Sequence, residues 1–178
     1  MLFKNNWTTL ESIPPDLLLA KKLVYDALDF DCSQPQQETE SSDYSAYRFK
    51  QNAKQICYRE AKITPTKTGQ FVTLWKRNTS GIIEPFDALD AIDCVIISVR
   101  KEALLGQFIF PKKVLLQKGV FSTSAKEGKR ATRVYPPWDK TTNKQAQKTQ
   151  QWQLDYFLEI PFSAEINLVR AKKLLQND

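Results

Sequence analysis

The sequence predicts an α/β (α+β) fold: a central mixed sheet flanked by helices, in one domain spanning residues 1–178. Three observations point there. An amphipathic stretch comes first, a run of short β-branched and aromatic segments follows, and two segments free of Pro and Gly with helical spacing close the chain. Cys94-Val95-Ile96-Ile97-Ser98-Val99 is apolar on both alternating faces, as a central strand covered on each side must be. A chain of 178 residues with 42% hydrophobic and 26% charged side chains has the length and composition of one globular domain.

The elements follow in order. An N-terminal helical segment occupies 1–30, with a helix over 12–29: Pro14 and Pro15 suit a helix entrance, Asp16 lies in the first turn, and Leu17, Ala20, Val24 and Ala27/Leu28 recur at helical spacing. Residues 31–43 lose the apolar period and read as a solvated loop. The sheet with C-terminal helices fills 44–178. Strands are expected at 44–49, 56–63, 71–76, 94–100, 107–110 and 132–135. A short helix is expected at 114–118. A long one is expected at 140–159, with Ala146, Trp152, Leu154, Phe157 and Leu158 as its apolar members, and a last one at 163–176 with Ile166, Val169 and Leu174 inward. Gly69-Gln70-Phe71-Val72 echoes Gly106-Gln107-Phe108-Ile109, too short to make a repeat.

Some chemistries are excluded outright. The chain has no histidine, so Ser-His-Asp and Cys-His nucleophilic sites and HExxH zinc sites cannot form. Cys32, Cys57 and Cys94 are odd in number and lack a CxxC spacing, which fits buried, reduced thiols in a cytoplasmic protein better than a disulfide framework. No apolar run approaches the length of a membrane span, and Met1-Leu2-Phe3-Lys4-Asn5-Asn6 does not start a signal peptide. No membrane partner is expected.

Charge is unevenly spread around a net +6. The first 47 residues hold three lysines against eight acids, whereas from Lys112 to Lys148 ten cations meet only Glu127 and Asp139. Lys112, Lys126, Lys129, Arg130, Arg133 and Lys140 are interleaved with Tyr135, Trp138 and a Ser/Thr/Gly loop, a combination suited to phosphates. Lys54, Arg59, Lys62, Lys67, Lys76 and Arg77 form a second basic set. The competing reading is a Lys-rich surface that serves solubility. Trp138, in Val134-Tyr135-Pro136-Pro137-Trp138-Asp139-Lys140, can stack on a base or pack as part of a rigid turn whose Asp139 caps the next helix.

Glu60-Ala61-Lys62 has the acid-x-Lys spacing of PD-(D/E)xK nucleases. Two residues apart on one strand, the carboxylate can bind Mg²⁺ or Mn²⁺ while the lysine steadies the attacked phosphate. Two such triplets occur, about 2 being expected by chance from these acids and lysines. Asp43 and Asp93 are the candidate additional ligands, although the acids from Asp87 to Asp93 also suit turns and caps before the central strand.

Residues 61–77, AKITPTKTGQFVTLWKR, resemble the MepB family, and the likeness continues through 106–112, 126–130, 133–139 and 148–153. The family takes its name from a bacterial gene beside a multidrug efflux pump. The resemblance implies a restriction-endonuclease-like fold and no particular enzymatic activity. It also implies a shared surface of Lys62, Thr64, Thr66, Lys67, Gln70, Lys76, Arg77, Gln107, Lys112, Lys129, Arg130, Arg133 and Trp138, a block that Glu60 only adjoins.

The leading expectation is a nucleic-acid-binding protein, duplex DNA before RNA, with weak or no cleavage and no cofactor needed for binding. Lys62, Thr64, Thr66, Lys67, Lys76, Arg77, Lys112, Lys126, Lys129, Arg130, Arg133, Trp138 and Lys140 would form the contact face. The alternatives are a Mg²⁺- or Mn²⁺-dependent nuclease using Glu60, Lys62 and Asp43 or Asp93, and a binder of an acidic protein or small anionic ligand at Lys62, Thr64, Thr66 and Lys67.

Overall fold

The computed structural model describes residues 7–177, so the reading of Met1 to Asn6 as lacking a signal segment lies outside the described residues. Helix α1, Pro15–Ala20, begins with Pro15 in its first turn and runs into a π-helical turn, Lys21–Tyr25, where the Asp26 amide donates to the Lys21 carbonyl at 2.8 Å. The expected helix at 12–29 is thus shorter and wider at its end. The wide turn directs Tyr25 inward and buries Lys21, whose ammonium meets Asp26 at 2.5 Å.

After the short strand β1, Gln36–Gln37, come β2, Tyr47–Gln51, and β3, Lys54–Glu60. The strand expected at 56–63 does not continue past Glu60. Ala61 donates its amide to the Ser98 carbonyl at 3.0 Å, and the chain leaves for a second sheet through β4, Lys62–Thr64, and β5, Lys67–Thr73. A hairpin follows, β6, Trp75–Arg77, with β7, Ile83–Pro85. The central pair is β8, Cys94–Lys101, and β9, Leu104–Pro111, then helix α2, Lys112–Gln117, and β10, Ala131–Val134. Helix α3, Lys144–Leu154, strand β11, Phe157–Glu159, and helix α4, Leu168–Gln176, complete the chain.

The main sheet has six strands in the order β1-β2-β3-β8-β9-β11. All its pairs are antiparallel except β3 with β8, so the sheet is mixed as the sequence predicts. The β3-to-β8 crossover carries β4 and β5, which β10 joins to make a three-stranded sheet ordered β10-β5-β4. Strand β8 divides the interior as its sequence implies. Ile96 faces a core with Leu17, Val24, Tyr25, Phe49 and Leu174, while Val95, Ile97 and Val99 face another with Val72, Leu74, Phe108, Phe110 and Phe121.

The expected helix at 140–159 is corrected at both ends. It starts later because Asn143, not Asp139, caps it, accepting the Ala146 amide at 2.8 Å. It stops earlier because Phe157 and Leu158 bury on opposite faces of the main sheet, a period of two that a helix cannot deliver. The last helix also starts late, at Leu168 behind its Asn167 cap. That phase turns Ala171, Leu174 and Leu175 inward and leaves Val169 83% exposed rather than inward.

The short echo has a physical basis. An added Cβ on Gly69 would stand 2.6 Å from the Tyr135 ring, and one on Gly106 would stand 2.2 Å from the Phe157 ring. Each glycine seats an aromatic ring, and the glutamine after each is fully buried. All three cysteines are free and buried, with burial pushing the thiols of Cys32 and Cys94 up to about 12.

Candidate cationic face and the Glu60 site

The three-stranded sheet turns one face to the core through Gln70, Val72 and Val134 and the other outward. Pairing places Lys62, Phe71 and Arg133 directly opposite one another on β4, β5 and β10, so one outward row reads cation, aromatic, cation. The Arg133 guanidinium lies over the Phe71 ring at 5.7 Å and donates to the Thr64 hydroxyl at 2.8 Å. Lys62 Nζ stands 5.0 Å above the Tyr44 ring, which in turn meets Phe71 edge-on.

Beside this row, Lys67, Phe71, Lys129, Arg133 and Tyr135 border a cleft of about 360 Å³ whose far wall is the start of α3. A neighbouring cleft of about 460 Å³ lies at the β4–β5 turn, where Thr66 and Lys67 face Lys101, Trp138 and Lys140. Among the described residues, Lys62, Lys67, Lys129, Lys140 and Arg133 have no ion pair with a carboxylate.

The glutamines of α3 hold this arrangement. Gln153 is buried; its carbonyl oxygen accepts the Tyr135 amide at 2.9 Å and its amide donates to the Arg133 carbonyl at 2.9 Å. Gln150 donates to the Pro136 and Asp139 carbonyls at 3.0 and 2.9 Å, pinning the Pro-Pro segment. Gln150 and Gln153 are therefore straps from the helix to the Pro-Pro segment and the sheet.

Other expected contacts are committed elsewhere. Lys76 meets Asp87 and Asp90 at 2.8 Å each and Glu84 at 3.7 Å. Burial works against its charge, but the hydrogen bonds to Asp87 and Asp90 outweigh it and raise its pKa. Arg77 pairs with Glu40 at 2.6 Å and Arg130 with Glu127 at 2.8 Å, while Lys112 donates to the Asp90 and Ala88 carbonyls. Arg59, part of the second basic set in the sequence, is 1% exposed and paired with Glu38. Lys126 is exposed on the loop between α2 and β10. The cations thus divide into a set paired within the chain and a set without carboxylate partners among the described residues.

Trp138 is partly buried, its ring edge-on to Phe157 at 5.6 Å, so it packs on the main sheet rather than standing out as a stacking platform. Asp139, expected to cap α3, instead meets Lys101 at 3.6 Å.

The nuclease constellation does not assemble. Glu60 ends a strand of the main sheet and Lys62 starts one of the small sheet, so the two are not neighbours on one strand face. Strands β3 and β8 are parallel with Glu60 opposite Ser98, which leaves Asp93 at the far end, about 16 Å along the strand. There Asp93 accepts the Gln55 amide at 2.8 Å. Asp43 is exposed on the 3₁₀ turn Ser42–Tyr44. Among the described residues, no group of three Cys, Asp or Glu side chains could hold a metal ion. Glu60 and Asp93 therefore do not share a cation position.

Glu60 itself terminates a polar chain that the sequence did not reveal. Tyr25 donates to the Gln107 side-chain carbonyl at 2.8 Å and the Gln107 amide donates to Ser98 Oγ at 3.1 Å. Tyr58 Oη lies 2.8 Å from Ser98 Oγ and 3.1 Å from Glu60 Oε1, while Ser45 donates to Glu60 Oε2 at 2.8 Å. Nearby, Arg100 is engaged by Asp16. Burial raises the Glu60 pKa, and the Ser45 and Tyr58 hydrogen bonds only partly oppose it. The chain satisfies buried polar groups and orients one carboxyl group, with no second carboxylate bound to the same donors.

Comparison with known proteins agrees with this architecture. A sequence model described as MepB-like matches residues 38–159. No curated protein matches the chain. A crystal structure of MepB is similar to it, with 33% identity over 86% of this chain and 100% of that one, at a TM-score of 0.74. No helix among the described residues is long and apolar enough to cross a membrane. A match across the small sheet, the central strands and α3, joined to that structural likeness, establishes that the chain belongs to the MepB-like family.

Proposed function

We propose that the protein binds nucleic acid, DNA in the first place, through the outward face of its three-stranded sheet, as a binding rather than a cleaving protein. The observation that carries this reading is the row Lys62, Phe71 and Arg133, flanked by Lys67 and Lys129, without a carboxylate partner among the described residues. Cations held by intramolecular acids gain little from a phosphate because they must first give up a partner; unpaired cations release counterions on binding. Thr64, and Thr66 in the adjoining turn, supply hydroxyls for phosphate oxygens.

The test is fluorescence anisotropy of labelled DNA across a salt series. Affinity falls linearly on a log–log plot as salt rises. Lys67→Ala with Lys129→Ala lowers the slope by about 2, one for each lost phosphate contact. Affinity that does not change with salt would sink the reading. A small anionic ligand is the competing occupant, favoured by the polar cleft at the β4–β5 turn; it predicts that the ligand, and not DNA, protects the fold against heat.

A further inference from the structure

The cleft between the small sheet and α3 has a composition that phosphate binding alone does not require. Lys67, Lys129 and Arg133 lie on its sheet side. The rings of Phe71 and Tyr135 border the same space, with Tyr135 seated on Gly69. Across from them stand Gln145, exposed at the start of α3, and Thr149 one turn later. Among the described residues, no Asp or Glu borders the cleft. Its volume of about 360 Å³ is at the low end of small-ligand sites, which run from about 300 to 1,000 Å³.

Cations on one side, aromatic surface between, and an amide with a hydroxyl opposite match the phosphate of a nucleotide and the face and edge of its base. The cations take the phosphate, the ring surface takes the flat base, and the amide reads the base edge. A base paired within a duplex presents only its edges and cannot enter such a space. Resting on the nucleic-acid reading above, we infer that this cleft receives one unstacked nucleotide of a single strand, so that the sheet face selects single-stranded over duplex nucleic acid.

The experiment titrates the full chain, at fixed low salt, with labelled oligo(dT), with the oligo(dA)·oligo(dT) duplex and with thymidine monophosphate. The single strand is expected to bind at least about tenfold more tightly than the duplex, the contribution of one stacked base. Thr149→Trp, which fills the cleft from the helix side, should bring strand affinity down to the duplex level without changing duplex affinity. Gln145→Ala, at an exposed position that leaves the fold intact, should weaken the strand several-fold and leave the duplex alone. Equal binding of strand and duplex, with both variants neutral, overturns the inference and leaves the phosphate reading standing. Binding of neither nucleic acid overturns both. Monophosphate binding as tight as the strand overturns the single-strand assignment in favour of a free nucleotide.

Discussion

Two regions of this molecule carry similar numbers of cations and use them in opposite ways. Around the β6–β7 hairpin, Lys76, Arg77, Lys112 and Arg130 are each satisfied by carboxylates or carbonyls of the same chain. On the small sheet, Lys62, Lys67 and Lys129 stand beside aromatic rings and hydroxyls instead, and Arg133 donates to the Thr64 hydroxyl and the Thr68 and Gly69 carbonyls, with no acid to meet any of the four among the described residues. The contrast teaches that local charge density in a sequence is a poor guide to an anion-binding face. What decides is whether the fold supplies intramolecular carboxylates first. Satisfied cations hold loops in place, and unsatisfied ones remain available to a phosphate.

The strongest way to break the contrast is to remove both sets and compare their effect on DNA binding. Lys62→Ala, Lys67→Ala and Lys129→Ala together should weaken binding roughly 100-fold at low salt and flatten the salt slope by about 3. Arg77→Ala with Arg130→Ala should leave slope and affinity nearly unchanged. Equal losses from the two sets would show that partnership within the chain does not silence a cation, and the contact face would then have to include the hairpin.

Stability should show the reverse order. Lys76→Met leaves Glu84, Asp87 and Asp90 facing one another without their cation and should cost about 1–2 kcal/mol at neutral pH, the partial exposure of the group limiting the loss. The hydrogen bond from Lys76 depresses the Asp87 pKa, so this acid contributes stability above its ordinary range that is lost as pH falls through the lowered value. Denaturant melts of wild type and variant should therefore be furthest apart near neutrality and converge below about pH 3. DNA binding by the variant should stay unchanged at temperatures where it is folded.

Much of the fold was legible because it rests on period and punctuation. The two-faced apolar run of β8, the proline entrance of α1 and the breaks at Gly and Asp needed no tertiary knowledge. What escaped was decided by partners distant in sequence. Phe157 and Leu158 fit a helical pattern until β9 offers them an edge to pair with. Arg59 sits among basic residues, yet Glu38, 21 residues away, draws it inside. Lys62 and Lys67 were legible as candidate contacts, whereas Phe71 and Tyr44 were not, since only strand register brings those rings to the cations. Glu60-Ala61-Lys62 misled for the same reason. The two-residue rule holds within one strand, and this chain changes sheets at Ala61.

Glu60 offers the smallest test and the mirror image of the small sheet: a half-buried carboxylate held by hydroxyls instead of a cation. Its pKa is raised, chiefly by burial, so the folded state holds this proton more tightly than the unfolded chain does. The sign follows from linkage. Below the ordinary carboxylate range both states are protonated and Glu60 carries no ionisation cost. As pH rises through that range toward the raised value, the unfolded state ionises first and stability falls. Glu60→Gln removes the ionisation and keeps a carbonyl acceptor for one of the two hydroxyls. A small gain in Tm at neutral pH, absent in acid, is the expected result. A loss of Tm at neutral pH would mean that Ser45, Tyr58 and the nearby Arg100 favour the charge more than burial opposes it, and that carboxylates in this fold prefer charged company as its hairpin cations do.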